Sequence, residues 1–200
     1  MKQIFHKISE NRSQVYVWKV VSAYENLLNQ STLCYEELQA LELIKSKKRK
    51  IEFLTTRMAV KSILGEKIKL KHKTTGQPYV DEECHISIAH SKSFVTLAVG
   101  DQSIGVDIEQ PSEKIVQVLP RILSKKEWTE FQKNPSEKVA CQLWGAKEAT
   151  LKLVGDPKLN YSEDICLEKI TPVKISCKKL KLSVVFEEVE GMVLSLVTKL

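Results

Sequence analysis

HISIAHSKSFVTLAVGDQSIGVDIE, running from His85 to Glu109, decides the fold of this 200-residue chain. Ile86, Ile88 and His90 alternate with Ser87 and Ala89, which predicts a strand over residues 85–90. A short polar link leads to a second strand at 94–99, and the turn Asp101-Gln102-Ser103 leads to a third at 104–108. Upstream, Thr75-Gly76-Gln77-Pro78 is a turn, with Gly76 supplying the unusual backbone angles. Before it, helical spacing predicts helices over 23–30, 33–44 and 49–64, the last closed by Gly65, after a β-branched and aromatic strand at 15–21. Downstream, Pro111 breaks the chain and Pro120 interrupts the next helical stretch. Ser124-x-x-Glu127 reads as a capping box, and a long helix begins at Asn134-Pro135-Ser136, Pro135 in its first turn, and ends at Gly155. Strands are expected at 165–170, 180–186 and 192–196. Each half thus runs strand, helices, strands. The fold class is α+β, a duplicated unit with halves 1–101 and 102–200.

Composition narrows the function. The chain is 42% hydrophobic and 28% charged, which suits a folded core and excludes intrinsic disorder. Its formal net charge of +6 lies wholly in the first hundred residues. Between Lys45 and Lys73, eleven bases face only Glu52 and Glu66, a run that serves as a phosphate site, a polyanion surface or a solvated helix flank. Within it, Lys50, Arg57 and Lys61 fall together on the polar side of their helix. Five widely spaced cysteines without Cys-x-x-Cys read as free thiols in a reducing compartment. No apolar core of signal-peptide or membrane-span length is visible, so the expected location is cytoplasmic.

The sharpest local chemistry is Gly105-Val106-Asp107-Ile108-Glu109. Positions two apart on a strand share a face, so Asp107 and Glu109 point the same way. Two like charges so close need a positive group between them, and a hard cation with oxygen ligands answers that need. The bland alternative is an edge strand with two solvated acids. On the long helix, Trp144, Glu148 and Lys152 are stacked four apart, an ordinary ion-pair spacing unless Glu148 converges on the strand acids. His90 and Ser91, at a strand end beside the basic half, can donate to a phosphate.

These pieces, in order, resemble a family. T-G-x-P-Y at Thr75–Tyr79, S-I-x-H-S at Ser87–Ser91, G-V-D-I-E at Gly105–Glu109 and W-x-x-K-E-A-x-x-K at Trp144–Lys152 are similar to the motifs of 4′-phosphopantetheinyl transferases of the large, surfactin-synthetase-activator type, in the forms found in Bacteroidetes. The likeness runs from Val17-Trp18-Lys19 to Val154 and weakens after about Tyr161. The resemblance implies a pseudo-dimer of two α+β halves with the site between them, a monomer with internal pseudo-twofold symmetry. It implies transfer of the phosphopantetheine arm of coenzyme A to a serine of an apo acyl, peptidyl or aryl carrier protein, releasing adenosine 3′,5′-bisphosphate, in fatty acid, polyketide or nonribosomal peptide synthesis. Asp107, Glu109 and Glu148 match the acids that hold Mg²⁺, or Mn²⁺, on the pyrophosphate. Glu148 also matches the general base for the serine, and Glu127 a further acid in the water network. Lys147 and Lys152 match the basic pair of the helix, Lys152 touching the α-phosphate. His90 matches the histidine near the 3′-phosphate, and Arg49 and Arg57 the arginines approaching the nucleotide. Gln77 and Pro78 stand where the family has G-K-P-Y, so the lysine that reaches coenzyme A is missing here, and a neighbour such as Lys73 is the candidate to replace its charge.

Two other readings use the same residues. An inactive scaffold that binds coenzyme A or a carrier would account for Gln77. A nucleic-acid-binding protein would use the basic run, but no recognition motif or interleaved aromatics accompany it. Neither nucleic acid nor membrane is an expected partner.

Overall fold

Strand β1 (Lys2–Ile8), largely exposed, pairs antiparallel with β2 (Gln14–Lys19), whose Val15, Tyr16, Val17 and Trp18 are all buried. The structure is a computed structural model that describes residues 1–9, 12–170 and 172–200. β1 was not expected because an exposed strand needs no apolar alternation; its backbone bonds to β2 are enough to order it. Three helices follow: α1 (Tyr24–Gln30), α2 (Tyr35–Leu43) and α3 (Lys47–Leu64). α3 starts two residues earlier than its apolar pattern, because Ser46 caps it by accepting from Arg49 N. The two-residue strands β3 (Lys71–His72) and β4 (Pro78–Tyr79) then form a small hairpin around Gly76. β5 (His85–Ser91) and β6 (Phe94–Gly100) complete a four-stranded antiparallel sheet of order β1-β2-β6-β5.

The second half opens with β7 (Ile104–Glu109), then α4 (Glu113–Ile122), α5 (Lys125–Phe131) and α6 (Glu137–Val154). Pro120 does not interrupt α4; it lies on the exposed side, where water can reach the carbonyl it leaves unpaired. Pro135 likewise precedes α6 instead of opening it, since Ser136 is the cap. The capping box of Ser124 and Glu127 is present. β8 (Ile165–Ile170), β9 (Val173–Cys177), β10 (Leu180–Val189) and β11 (Met192–Lys199) give a sheet of order β7-β11-β10-β9-β8. β9 was not among the expected strands, although Val173, Ile175 and Cys177 alternate with Lys174 and Ser176 along it.

The halves share an order of elements. In each, the strand just before the helices (β2 or β7) lies beside the last strand (β6 or β11), which forms a hairpin with the one before it, and β1 is an addition to the first half. An 18-residue helix, α3 or α6, lies between them in sequence. The two sheets meet through one apolar cluster that joins Val15, Val17 and Ala98 to Val106, Ile108 and Leu194. Val106 N also donates to Ser87 Oγ at 3.0 Å, so β7 is tied to β5 across the halves.

The other face of β7 is pressed against α6. A Cβ on Gly105 would lie 1.8 Å from the Ala149 carbonyl oxygen, and one on Gly145 would lie 2.3 Å from Ser195 Oγ. Only glycine permits this approach. Two glycines, one on each element, therefore bring the α6 side chains to within reach of Asp107.

Candidate active site

Asp107 is buried, 5% exposed, in the middle of β7. Its Oδ1 accepts from Lys152 Nζ at 2.7 Å, and the same ammonium donates to the Val106 carbonyl at 3.0 Å. Asp107 Oδ2 is buried with no hydrogen-bond partner, and so is Oγ of Ser195, which sits opposite it on β11. Glu109 accepts from Ser91 Oγ at 2.7 Å, and Glu148 accepts on Oε1 from the Tyr161 hydroxyl at 2.7 Å. Burial pushes the carboxyl of Glu109 above its ordinary range, Ser91 opposes this, and the charges of Asp107 and Glu148 add to the rise. Burial likewise raises Glu148, opposed by Tyr161 and reinforced by Asp107. The structure thus brings Asp107, Glu109, Glu148 and Lys152 together, and the bland reading of solvated edge acids fails.

Among the described residues, no three His, Cys, Asp or Glu side chains stand close enough to form a ready metal site. The donor set nevertheless fits a divalent cation. The Asp107 charge raises the proton affinity of both Glu109 and Glu148, and one buried oxygen, Asp107 Oδ2, lacks any donor. At present the Lys152 ammonium supplies the positive charge beside Asp107.

His90, at the end of β5, faces α3. Thr56 Oγ1 gives its one proton to the Glu52 carbonyl at 2.6 Å, so its 2.7 Å contact with His90 Nε2 makes that nitrogen the donor. Burial pushes the imidazole down to about 4; the Lys152 and Arg49 charges act in the same direction, and Glu52 opposes them. His90 is therefore neutral near pH 7. A histidine with a folded value below its unfolded one, roughly 6.5, contributes stability above the unfolded value. That stability is lost as pH falls toward the folded one. Wild type should lose on the order of 3 kcal/mol more than His90→Gln between about pH 6.5 and 4. Urea unfolding at stepped pH checks this; parallel curves for the two proteins would refute it.

Arg49 is exposed and pairs with Glu52 at 3.0 Å, near enough to His90 for its charge to be felt. Arg57 is placed elsewhere. It is 8% exposed, its Nε lies 3.2 Å from Glu37 Oε1 on α2, and its guanidinium lies over the Phe53 ring. Lys61 pairs with the other oxygen of Glu37 at 3.0 Å and donates to the Thr32 carbonyl. The expected polar face of α3 is therefore partly a buried ion cluster, because α2 folds over it and carries a matching acid. Lys47, Lys48, Lys69 and Lys71 also have acidic partners within 4 Å. The basic run is not an open polyanion face.

Gln77 reaches across to α6. Its Nε2 donates to the Lys152 carbonyl at 3.1 Å, its Oε1 accepts from Lys73 Nζ at 2.9 Å, and it packs against Gly155. Both ends of its amide are occupied, and Lys73 brings a charge to the same place. Gln77, Pro78, Ser87, Lys152 and Gly155 line a cleft of about 270 Å³, and a second cleft of about 600 Å³ opens on Glu109 and Trp144.

Lys147 does not join the cluster. It is 0% exposed, with Glu127 at 3.1 Å and the carbonyls of Tyr161 and Ile165 at 2.6 and 2.7 Å. All three ammonium protons have acceptors, so the expected ligand to the co-substrate is an internal strut. Glu127 completes the strut by accepting from Leu167 N at 2.6 Å.

Residues 103–183 match the sequence model of the 4′-phosphopantetheinyl transferase superfamily. Over this stretch, about two fifths of the chain, the sequence is similar to that superfamily. The matched stretch contains Asp107, Glu109, Glu127, Lys147, Glu148 and Lys152, while Arg49, Arg57, Gln77 and His90 lie outside it. The chain is 29% identical over 99 residues to the 4′-phosphopantetheinyl transferase gsp of Aneurinibacillus migulanus, covering 48% of this chain and 42% of that protein. It is 30% identical over 95 residues to psf-1 of Bacillus pumilus (45% and 41%), and 28% identical over 93 residues to Sfp of Bacillus subtilis strain 168 (44% and 42%). The alignments thus span about two fifths of the length of these superfamily relatives. Among the described residues, no helix is long and apolar enough to cross a membrane.

Sequence reasoning missed Tyr161 and Ser195. Tyr161 lies in the connection after α6, where the motif likeness fades, and Ser195 sits in an apolar strand; neither position carries a pattern of its own.

Proposed function

We propose that this chain transfers the 4′-phosphopantetheine arm of coenzyme A to a serine hydroxyl of an apo acyl, peptidyl or aryl carrier protein, releasing adenosine 3′,5′-bisphosphate. The observation that carries this reading is a buried carboxylate, Asp107, with an unsatisfied oxygen and with the charges of Glu109 and Glu148 close by, in the stretch that matches the superfamily's sequence model.

A divalent cation, Mg²⁺ or Mn²⁺, would be held by Asp107, Glu109 and Glu148, and when bound it neutralises pyrophosphate charge. Lys152 moves from Asp107 to the α-phosphate and offsets the charge of the leaving group. Glu148, whose burial raises its proton affinity, accepts the proton of the carrier serine. His90 and Arg49 face the 3′-phosphate, and Lys73 replaces the charge that Gln77 lacks. Residues 1–101 and 102–200 are the two halves of a pseudo-dimer that forms one site, in a cytoplasmic monomer.

The test is mass spectrometry of an apo carrier protein incubated with this chain, coenzyme A and Mg²⁺. A gain of one phosphopantetheine arm on the serine is expected. Absence of gain on several carriers, from folded protein that still binds coenzyme A, would instead favour a binding scaffold.

A further inference from the structure

Tyr161 is held in place from several sides. Asn160 N donates to Asp164 Oδ2 at 2.9 Å and Asp164 N returns a bond to the Asn160 carbonyl at 2.9 Å, closing a tight turn. Leu159 before it and Ile165 after it are buried in the core beneath α6. The Tyr161 carbonyl accepts from Lys147 Nζ at 2.6 Å, while its ring stacks on Trp144, 6.5 Å between centroids and 7° from parallel. Its hydroxyl donates to Glu148 Oε1 at 2.7 Å. Lys147 and Glu148 are consecutive on α6, so one helix grips the main chain and the side chain of the same residue.

This mounting makes the phenol a rigid donor. A phenol is protonated at neutral pH and a carboxylate only accepts, so the 2.7 Å contact is a bond that Tyr161 donates to Glu148. One oxygen of Glu148 is thereby occupied, and its carboxylate cannot rotate without losing a bond in a half-buried setting.

We propose that Tyr161 is a positioning residue for phosphopantetheine transfer: by binding Glu148 Oε1 it fixes the carboxylate's orientation and leaves Oε2 for the reacting groups and the cation. The proposal rests on the transferase reading above. It gives the post-helix turn, outside the family-like motifs, a part in the reaction, and it explains the strut. Lys147 and Glu127 hold the turn that holds Tyr161.

Tyr161→Phe keeps the ring, its stack on Trp144 and the carbonyl that Lys147 grips, and removes only the hydroxyl. Expected are a fall in kcat of about 10- to 100-fold, an unchanged KM for coenzyme A and an unchanged thermal midpoint. Electron paramagnetic resonance titration with Mn²⁺ in the presence of coenzyme A should show weaker cation binding by several-fold. In a Glu148→Gln background the same substitution should leave Mn²⁺ binding unaltered, since the group through which Tyr161 acts is gone. Wild-type kcat and Mn²⁺ binding in Tyr161→Phe would overturn the proposal. So would a further loss of Mn²⁺ binding in the Glu148→Gln background, or a lowered midpoint with normal kcat. A wild type that transfers nothing overturns the transferase reading, and the Mn²⁺ comparison still decides on Tyr161.

Discussion

Asp107→Ala is expected to abolish phosphopantetheine transfer while leaving the fold in place. The carboxylate is buried, one oxygen has no donor, and its charge raises the proton affinity of both Glu109 and Glu148. Removing it relieves that repulsion. It also releases Lys152, whose side chain is 29% exposed and can turn to water, so no buried charge is stranded. The stability change should therefore stay within about 1 kcal/mol. Transfer should suffer far more, because loss of charge stabilisation on the pyrophosphate removes several kcal/mol, on the order of a thousand-fold in rate. Timed mass spectrometry of the carrier, beside a urea unfolding curve, separates the two effects. An unchanged rate at saturating Mg²⁺ would refute the cation role of Asp107.

Lys147→Met should do the reverse, striking stability first. The ammonium has no exposed surface, and its loss leaves Glu127 buried and unpaired with the Tyr161 and Ile165 carbonyls unsatisfied. Breaking such a pair from one side costs about 3–5 kcal/mol. Replacing Glu127 by Met as well should restore only part of the loss. Glu127 also accepts from the backbone of Leu167 and Ser124, and those bonds have no substitute. Urea midpoints of the two single variants and the double variant measure this. A Lys147→Met protein as stable as wild type would show that the strut carries no load.

The strands around residues 85–109 were readable because short apolar and β-branched runs are set off there by polar turns, and β5, β6 and β7 fall close to where those runs put them, buried almost continuously in β6 and β7. α3 was readable from its helical spacing and the stop at Gly65, though not its Ser46 cap, and α6 from Asn134-Pro135-Ser136 and the stop at Gly155. β1 and β9 were not. β1 is mostly exposed, and β9, although Val173, Ile175 and Cys177 alternate with Lys174 and Ser176, is only five residues long and follows closely on β8.

By itself, the sequence determined the acids of β7, the helix that bears Glu148 and Lys152, and the α+β order of both halves. Local spacing sets these, and local spacing is what a sequence displays. Only the tertiary structure decided which charges meet. Eleven bases with two acids between Lys45 and Lys73 looked like an unbalanced surface. Folding brings Glu25, Glu36, Glu37 and Asp81 to them from outside the run and buries Arg57 and Lys61 against one carboxylate. It also parts the neighbours Lys147 and Glu148, sending one into the core and the other to the site. Coulomb and desolvation energies depend on distance and depth, and neither is written along the chain.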